Sequence, residues 1–367
     1  MINKLYNKLA EKYENVNERV CISTGHTGVM VKTLSKEAEP IVDELLVLSD
    51  VFGKETYEDC KDKFEIIVDI DEKLSGELRK YMVENLTKSE KEVFNRRMPC
   101  PGIDVYEVDG EYALVDWRKK ALMITRIGSN KLIVSADAMS GELHGLIKHL
   151  GTTPFVLSGD IHLMHGTSVN YKGKNIIVAA ESGHGKTTFG LLFGLNGGAL
   201  ISEDISYITE SSRIINTGSK NYITIRKGTL YAFREYFSEF CTEENPSPKE
   251  LYLAGEDESV RVSLDTLRLH SESGNKLEPI DCVIVPEIDG DYKGYEIVDL
   301  DNDEIKSINT ISNRDYNTDW LLPLLSCDAE REECRNNCKI DDVRYVKLHT
   351  DFNYRDYFEK ILDDLLI

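Results

Sequence analysis

The chain of 367 residues has no run of 18 uninterrupted apolar residues, so no membrane-spanning helix is expected. Its first residues, MINKLYNKLAEKYENV, are polar and charged and contain no apolar stretch of signal-peptide type. We therefore expect a cytoplasmic protein. Basic residues are in deficit: 44 Lys+Arg stand against 65 Asp+Glu, for a net charge of −21. A protein that grips nucleic-acid backbones needs a basic footprint, so nucleic acid is not an expected partner. Tryptophan is scarce, with two residues, and Trp117 and Trp320 form no cage-like pattern. The eight cysteines lack the short paired spacings of a disulfide scaffold or a zinc site and read as reduced thiols. Cys327, Cys334 and Cys338 would fall within about 40° on one helix face, where three thiolates could hold a metal; with no fourth ligand evident, a buried stripe of small side chains is the expectation.

What is present is enough apolar material for a sizeable core: 41% of the residues are hydrophobic and 30% charged. Against a prior of about 100–200 residues per domain, the length predicts two domains. Residues 1–150 read as a smaller α+β module of unassigned role, with substrate or partner recognition the expectation. It begins with two short strands over residues 19–33, followed by helical spacing from Lys36 to Ser49 and a strand from Phe64 to Ile70. An antiparallel meander spans Val105 to Ala136, and a helix runs from Ser140 to Leu150. Residues 151–367 read as an α/β domain. Strands at His165–Tyr171 and Asn175–Ala180 are joined by a Lys172-Gly173-Lys174 turn. Further strands are expected near 199–201, 207–208, 222–226, 259–263, 282–285 and 344–348, with a closing helix from Tyr354 to Leu365.

The second of those strands runs into Ala180-Glu181-Ser182-Gly183-His184-Gly185-Lys186-Thr187-Thr188 and then into a helix-like segment. Gly183 and Gly185 permit the backbone angles that turn successive N–H groups toward phosphate oxygens. The helix beginning near Lys186 adds the positive end of its dipole. Lys186 reaches the β- and γ-phosphates, Thr187 offers its hydroxyl to Mg²⁺, and Thr188 is expected to cap the helix. A Gly-x-Gly-Lys-[Ser/Thr] string arises by chance in a chain of this length with a probability on the order of 1%. The full pattern has glycine where Ala180 stands, so the first turn must accept a methyl. Glu181 and His184 are loop side chains expected to face solvent. Gly198 to Ser202 then reads as a short strand ending in the carboxylates Glu203 and Asp204, able to hold Mg²⁺ and accept a proton from an attacking hydroxyl.

The segment Leu163-Met164-His165-Gly166-Thr167-Ser168-Val169, the Ser-Gly-x-Gly-Lys-Thr loop and the Glu203-Asp204 pair together resemble the catalytic domain of HPr kinase/phosphorylase and its relatives. That group has a P-loop in a phosphoenolpyruvate-carboxykinase-like mixed-sheet fold. The resemblance covers roughly residues 155–235. It implies an ATP- and Mg²⁺-dependent kinase acting on a hydroxyl, typically a serine of a protein or peptide. Lys186 and Thr187 would hold phosphate and metal, the acidic pair would supply base and metal ligand, His165 would orient the acids, and Arg226 would face the transferred phosphate. The family usually carries Asp-Asp, and the Glu-Asp pair leaves open which residue is the base. No segment matches the second Gly-rich stretch of the bifunctional members, so phosphorylase activity is not expected. The alternatives are a nucleotide hydrolase or small-molecule phosphotransferase, and a nucleotide-binding regulatory or assembly protein. Association with further copies of the chain is compatible with each.

The acid is unevenly spread. Residues 1–240 carry −4 and residues 241–367 carry −17, while residues 161–240, which hold the loop, sum to +2. The acidic last third is expected to repel stray anions or to attract a basic acceptor.

Overall fold

A computed structural model describes residues 19–24, 26–33, 35–38, 57–90, 94–95, 98–99, 103–108, 111–116, 120–126, 130–139, 141–180, 183–203, 205–209, 211–216, 222–241, 246–253, 259–263, 270–271, 276–314 and 343–366, with the isolated positions 7, 11, 45 and 340. The Cys327, Cys334 and Cys338 face, both tryptophans and most of the Lys36–Ser49 helix lie outside the described residues. The chain is a mixed α/β protein, α+β overall, with seven α-helices and mixed sheets among the described residues. No helix among them is long and apolar enough to cross a membrane. It divides into two compact units of nearly equal length, Met1–Ile161 with Arg314–Asn336, and His162–Asn313 with Asn337–Ile367.

The first unit contains β1 (Arg19–Ser23), β2 (Thr27–Thr33), β3 (Asp62–Ile70), the short pair β4 (Phe94–Asn95) and β5 (Met98–Pro99), β6 (Ile103–Val108), β7 (Glu111–Asp116), β8 (Ala121–Arg126) and β9 (Lys131–Ala136). Its seven-stranded sheet has the order β1-β2-β3-β9-β8-β7-β6. The meander expected from alternating short runs is present as β6 to β9, each strand antiparallel to the next. The strand expected from Phe64 to Ile70 is present as β3; what local pattern did not reveal is its placement, parallel to both β2 and β9, which joins the hairpin to the meander.

Helix α1 (Glu72–Asn85) was not among the expected elements, although Leu74, Leu78 and Met82 follow at four-residue spacing. Asp71 caps it, accepting from the Leu74 amide at 3.0 Å. Leu78 and Met82 bury against Ile67, Val115, Leu122 and Ile133. From the same helix Arg79 grips Asp137 through both guanidinium-facing oxygens, at 2.7 and 2.8 Å, and also donates to Lys120 O at 2.7 Å. Helix α2 (Gly141–Ser158) runs eight residues past its expected end and contains Pro154. Proline inside a helix costs about 3 kcal/mol through its missing donor. The fully buried Phe155, beyond it, continues the buried series of Leu143, Ile147 and Leu150 and offsets that cost.

The second unit is built on a ten-stranded sheet. Its strands are β10 (Ile161–Tyr171), β11 (Lys174–Ala179), β12 (Ala199–Ser202), β13 (Ile205–Thr209), β14 (Arg213–Asn216), β17 (His270–Ser271), β18 (Lys276–Pro279), β19 (Cys282–Ile288), β20 (Tyr295–Asp299) and β21 (Arg344–Thr350). The remaining two, β15 (Tyr222–Arg226) and β16 (Ser259–Ser263), form a separate antiparallel ribbon. The main path is β18-β14-β13-β10-β11-β19-β21-β20, with β12 also paired to β10 and β17 to β12. Strands β11, β19 and β21 run parallel, and the β10–β11 hairpin turns at Lys172 and Gly173, both with positive φ (49° and 79°). Two positive φ values in a two-residue loop are the geometry whose twist matches a hairpin.

Helices α3 (Lys186–Leu195), α4 (Lys227–Ala232), α5 (Pro248–Leu253), α6 (Asn302–Arg314) and α7 (Tyr354–Leu366) complete the unit. Phe189 and Phe193 of α3 and Tyr354 and Phe358 of α7 share one core with Ile223 and Ile225 of the ribbon. A second core unites Ile177, Ile201, Ile208 and Tyr345 with Ile305 and Ile308 of α6. Residues 286–305 hold the end of β19, all of β20 and the start of α6. None of Cys21, Cys60, Cys241 and Cys282 forms a disulfide, and burial pushes the Cys282 thiol up to about 12, which keeps it protonated.

One contact fixes how closely α3 lies on the sheet. A Cβ at Gly190 would stand 2.3 Å from Thr167 Cγ2 on β10. Gly190→Ala is therefore expected to destabilise the protein by about 1–3 kcal/mol through overpacking. A Cβ at Gly76 in α1 would meet nothing within 4 Å, so Gly76→Ala is expected to stabilise by about 0.5–1 kcal/mol. Urea-denaturation midpoints moving in opposite directions check both.

Candidate functional site

Strand β11 is buried from Asn175 to Ala179 and delivers the chain to the Gly-rich loop at Ala180. Ala180 is not among the positive-φ residues, so a methyl at this first turn meets no backbone conflict. Gly183 and Gly185 have φ of 89° and 93°, in the left-handed region that side chains disfavour. Gly185 is the N-cap of α3, and no side-chain cap bond is formed there among the described residues. A Cβ on Gly185 would stand 3.2 Å from Ile288 Cδ1 and 3.8 Å from Pro286 Cβ. The loop thus rests on the end of β19, the parallel neighbour of β11. His184, between the two glycines, is exposed.

Lys186 is 7% exposed and donates from Nζ to Ala180 O at 2.9 Å, tying the end of the loop to its beginning. Thr187 is half-buried in the first turn of α3. Thr188 does not cap the helix, contrary to expectation. Its hydroxyl pairs with Thr229 of α4 at 2.7 Å, because the third helical position faces α4. Arg226, at the end of β15, projects toward the loop: its Nη1 would lie 3.4 Å from a Cβ on Gly183.

The acidic turn is held from β10. Thr167 donates its hydroxyl to Glu203 O at 2.5 Å. The buried hydroxyls of Ser168, Ser202 and Ser206 form a triangle, with Ser206 at 2.9 Å from Ser168 and 3.0 Å from Ser202, and with Ser168 and Ser202 in direct contact. Ser202 ends β12 and Ser206 lies in β13, so the triangle pins both sides of the turn. His165 is 4% exposed and precedes Thr167 by two residues on β10, hence on the same strand face. His162, three residues before it, takes the opposite face. Glu203 Oε1 accepts from the Thr224 amide of β15.

The second unit thus brings together the loop glycines, Lys186, Thr187 and Arg226, and separately fastens Glu203 and His165 to β10. Glu181, Ser182 and Asp204 lie outside the described residues. Among the described residues no three His, Cys, Asp or Glu side chains converge as a metal site. Thr224, Thr229, Pro286 and Ile288 were absent from the sequence reading. They support the site through a backbone amide, a helix contact and packing, which leave no local motif. No family model matches the chain, and no curated protein matches it.

The donor set fits a polyphosphate: an ammonium, a guanidinium and an uncapped helix start surround a loop held in the left-handed conformation. Gly185→Ala should cost about 1–2 kcal/mol, because alanine must adopt φ near 93°. Thermal denaturation checks it, and an unchanged midpoint would mean that the loop adopts another conformation.

Proposed function

We propose that the second unit is an ATP- and Mg²⁺-dependent phosphotransferase with a carboxykinase-like P-loop fold, moving the γ-phosphate to a hydroxyl of a peptide or protein. The observation that carries this reading is the loop itself. Two left-handed glycines flank His184, a buried lysine closes the loop, and Arg226 lies across Gly183.

In this reading Lys186 exchanges its bond to Ala180 O for oxygens of the β- and γ-phosphates. The Gly183–Gly185 backbone amides and the first amides of α3 bind the same polyphosphate, and Ser182 belongs to that loop. Thr187 and the acidic pair would hold Mg²⁺, which would neutralise charge on the phosphates. Arg226 stabilises charge on the transferring group. One carboxylate of the Glu203-Asp204 pair takes the proton of the attacking hydroxyl, with His165 orienting the acids from β10. The concentration of −17 beyond residue 240 favours a basic acceptor.

A second reading, a nucleotide-binding regulator that transfers nothing, is favoured by one contact: Glu203 already accepts from the Thr224 amide. Turnover separates the two. With γ-labelled ATP and an extract of the source cells, the wild-type chain should label an acceptor, and Lys186→Ala should lower labelling about 10²–10³-fold with an unchanged circular-dichroism spectrum. Full labelling by Lys186→Ala would end the phosphotransferase reading; tight ATP binding without labelling would favour the regulator. Added salt should raise KM for a basic acceptor peptide well above its effect on KM for ATP.

A further inference from the structure

We infer that Glu203 is a positioning residue, not the reacting acid: it holds strand β15 so that Arg226 lies over the phosphate loop. The inference rests on the phosphotransferase reading and assigns a separate role within the acidic pair.

Among the described residues the ribbon that carries Arg226 has two strands, β15 and β16. Such a ribbon is marginally stable unless something else secures it. One face does so through Ile223 and Ile225, which are fully buried against α3. Along the backbone β15 pairs residue by residue with β16, Thr224 opposite Arg261 and Arg226 opposite Ser259. The Thr224 amide turns to the Glu203 carboxylate, so the side chain takes the place of a neighbouring strand's carbonyl. Two residues further on, Arg226 reaches Gly183.

Glu203 is itself anchored at its backbone. Its carbonyl accepts from Thr167, and its predecessor Ser202 is held by Ser168 and Ser206. A rigid point on the main sheet is thereby connected, through one carboxylate, to the ribbon that displays the cation. A carboxylate that serves as a ladder acceptor is engaged in the bond that aligns Arg226, and a proton taken from an attacking hydroxyl would weaken that bond during each transfer.

Three measurements on the full chain test the assignment. First, hydrogen exchange at the Thr224 amide should be unchanged in Glu203→Gln, whose amide oxygen still accepts, and at least tenfold faster in Glu203→Ala. Second, the Kd for ATP·Mg²⁺ by calorimetry should rise about tenfold in Glu203→Ala and in Arg226→Ala, with the double variant no weaker than Arg226→Ala alone. Third, Glu203→Ala should lower kcat no further than Arg226→Ala does. Loss of kcat by 10²-fold or more in Glu203→Gln with ATP affinity intact would make Glu203 the reacting acid and overturn the assignment, as would additive effects in the double variant. A wild-type chain that binds no ATP·Mg²⁺ would overturn the phosphotransferase reading instead, and the Thr224 exchange rates would then decide the Glu203 role alone.

Discussion

Strand β10 is the constraint on which the second unit depends. One of its edges carries β11, which ends at the Gly-rich loop, and the other carries β12 and β13, whose junction is the acidic turn. Because an antiparallel register admits no sliding without turning buried faces outward, the β10–β11 hairpin sets where the loop begins. The same strand sets the height of the acidic turn through Thr167 and Ser168. The Ser168, Ser202 and Ser206 hydroxyls are buried and satisfy one another, a costly arrangement if any member lost its partners. A polar knot inside an apolar sheet fixes one geometry where apolar packing alone would tolerate several.

Above that strand the geometry is set by absent side chains. Gly190 lets α3 settle onto Thr167, and Gly185 lets the loop turn onto the end of β19. The helix therefore starts close to the sheet, with its first amides at the carboxyl end of β11. In open α/β sheets that location is where ligands bind, since the loops there can diverge and helix starts converge. Lys186 and Arg226 approach it from two directions, one along the loop and one from the ribbon. Both cations belong to the stretch whose net charge is positive within a chain of −21. The charge balance of the whole molecule thus says little about the loop, and the local balance says a good deal.

Legibility differed with the range of the interactions. The loop, the strands on both sides of it and the closing helix were readable because each depends on neighbouring residues: an apolar run, glycines at two-residue spacing, an apolar stripe at helical period. The meander of the first unit was readable for the same reason. Helix α1 has a stripe and an Asp71 cap that are equally local signals. Helix α2 was cut short at Gly151-Thr152-Thr153-Pro154, where local propensity opposes a helix and the burial of Phe155 overrides it. The parallel placement of β3 between β2 and β9 left no local trace, since its partners are dozens of residues away.

By itself the sequence determined the chemistry on offer: a Gly-x-Gly-Lys-Thr loop between a strand and a helix, an adjacent acidic pair, and a cation at 226 whose purpose composition could not specify. Only the tertiary structure decided which of these meet. It bound Thr188 to Thr229 instead of to the helix start, laid Arg226 across Gly183, and engaged Glu203 with the Thr224 amide. The physical reason is that side-chain type and short spacing are encoded locally, whereas a backbone amide acquires its partner from strands brought together by burial. Glutamate at 203 looks like a conservative variant of aspartate in the chain. In the fold its carboxylate accepts from the Thr224 amide of β15.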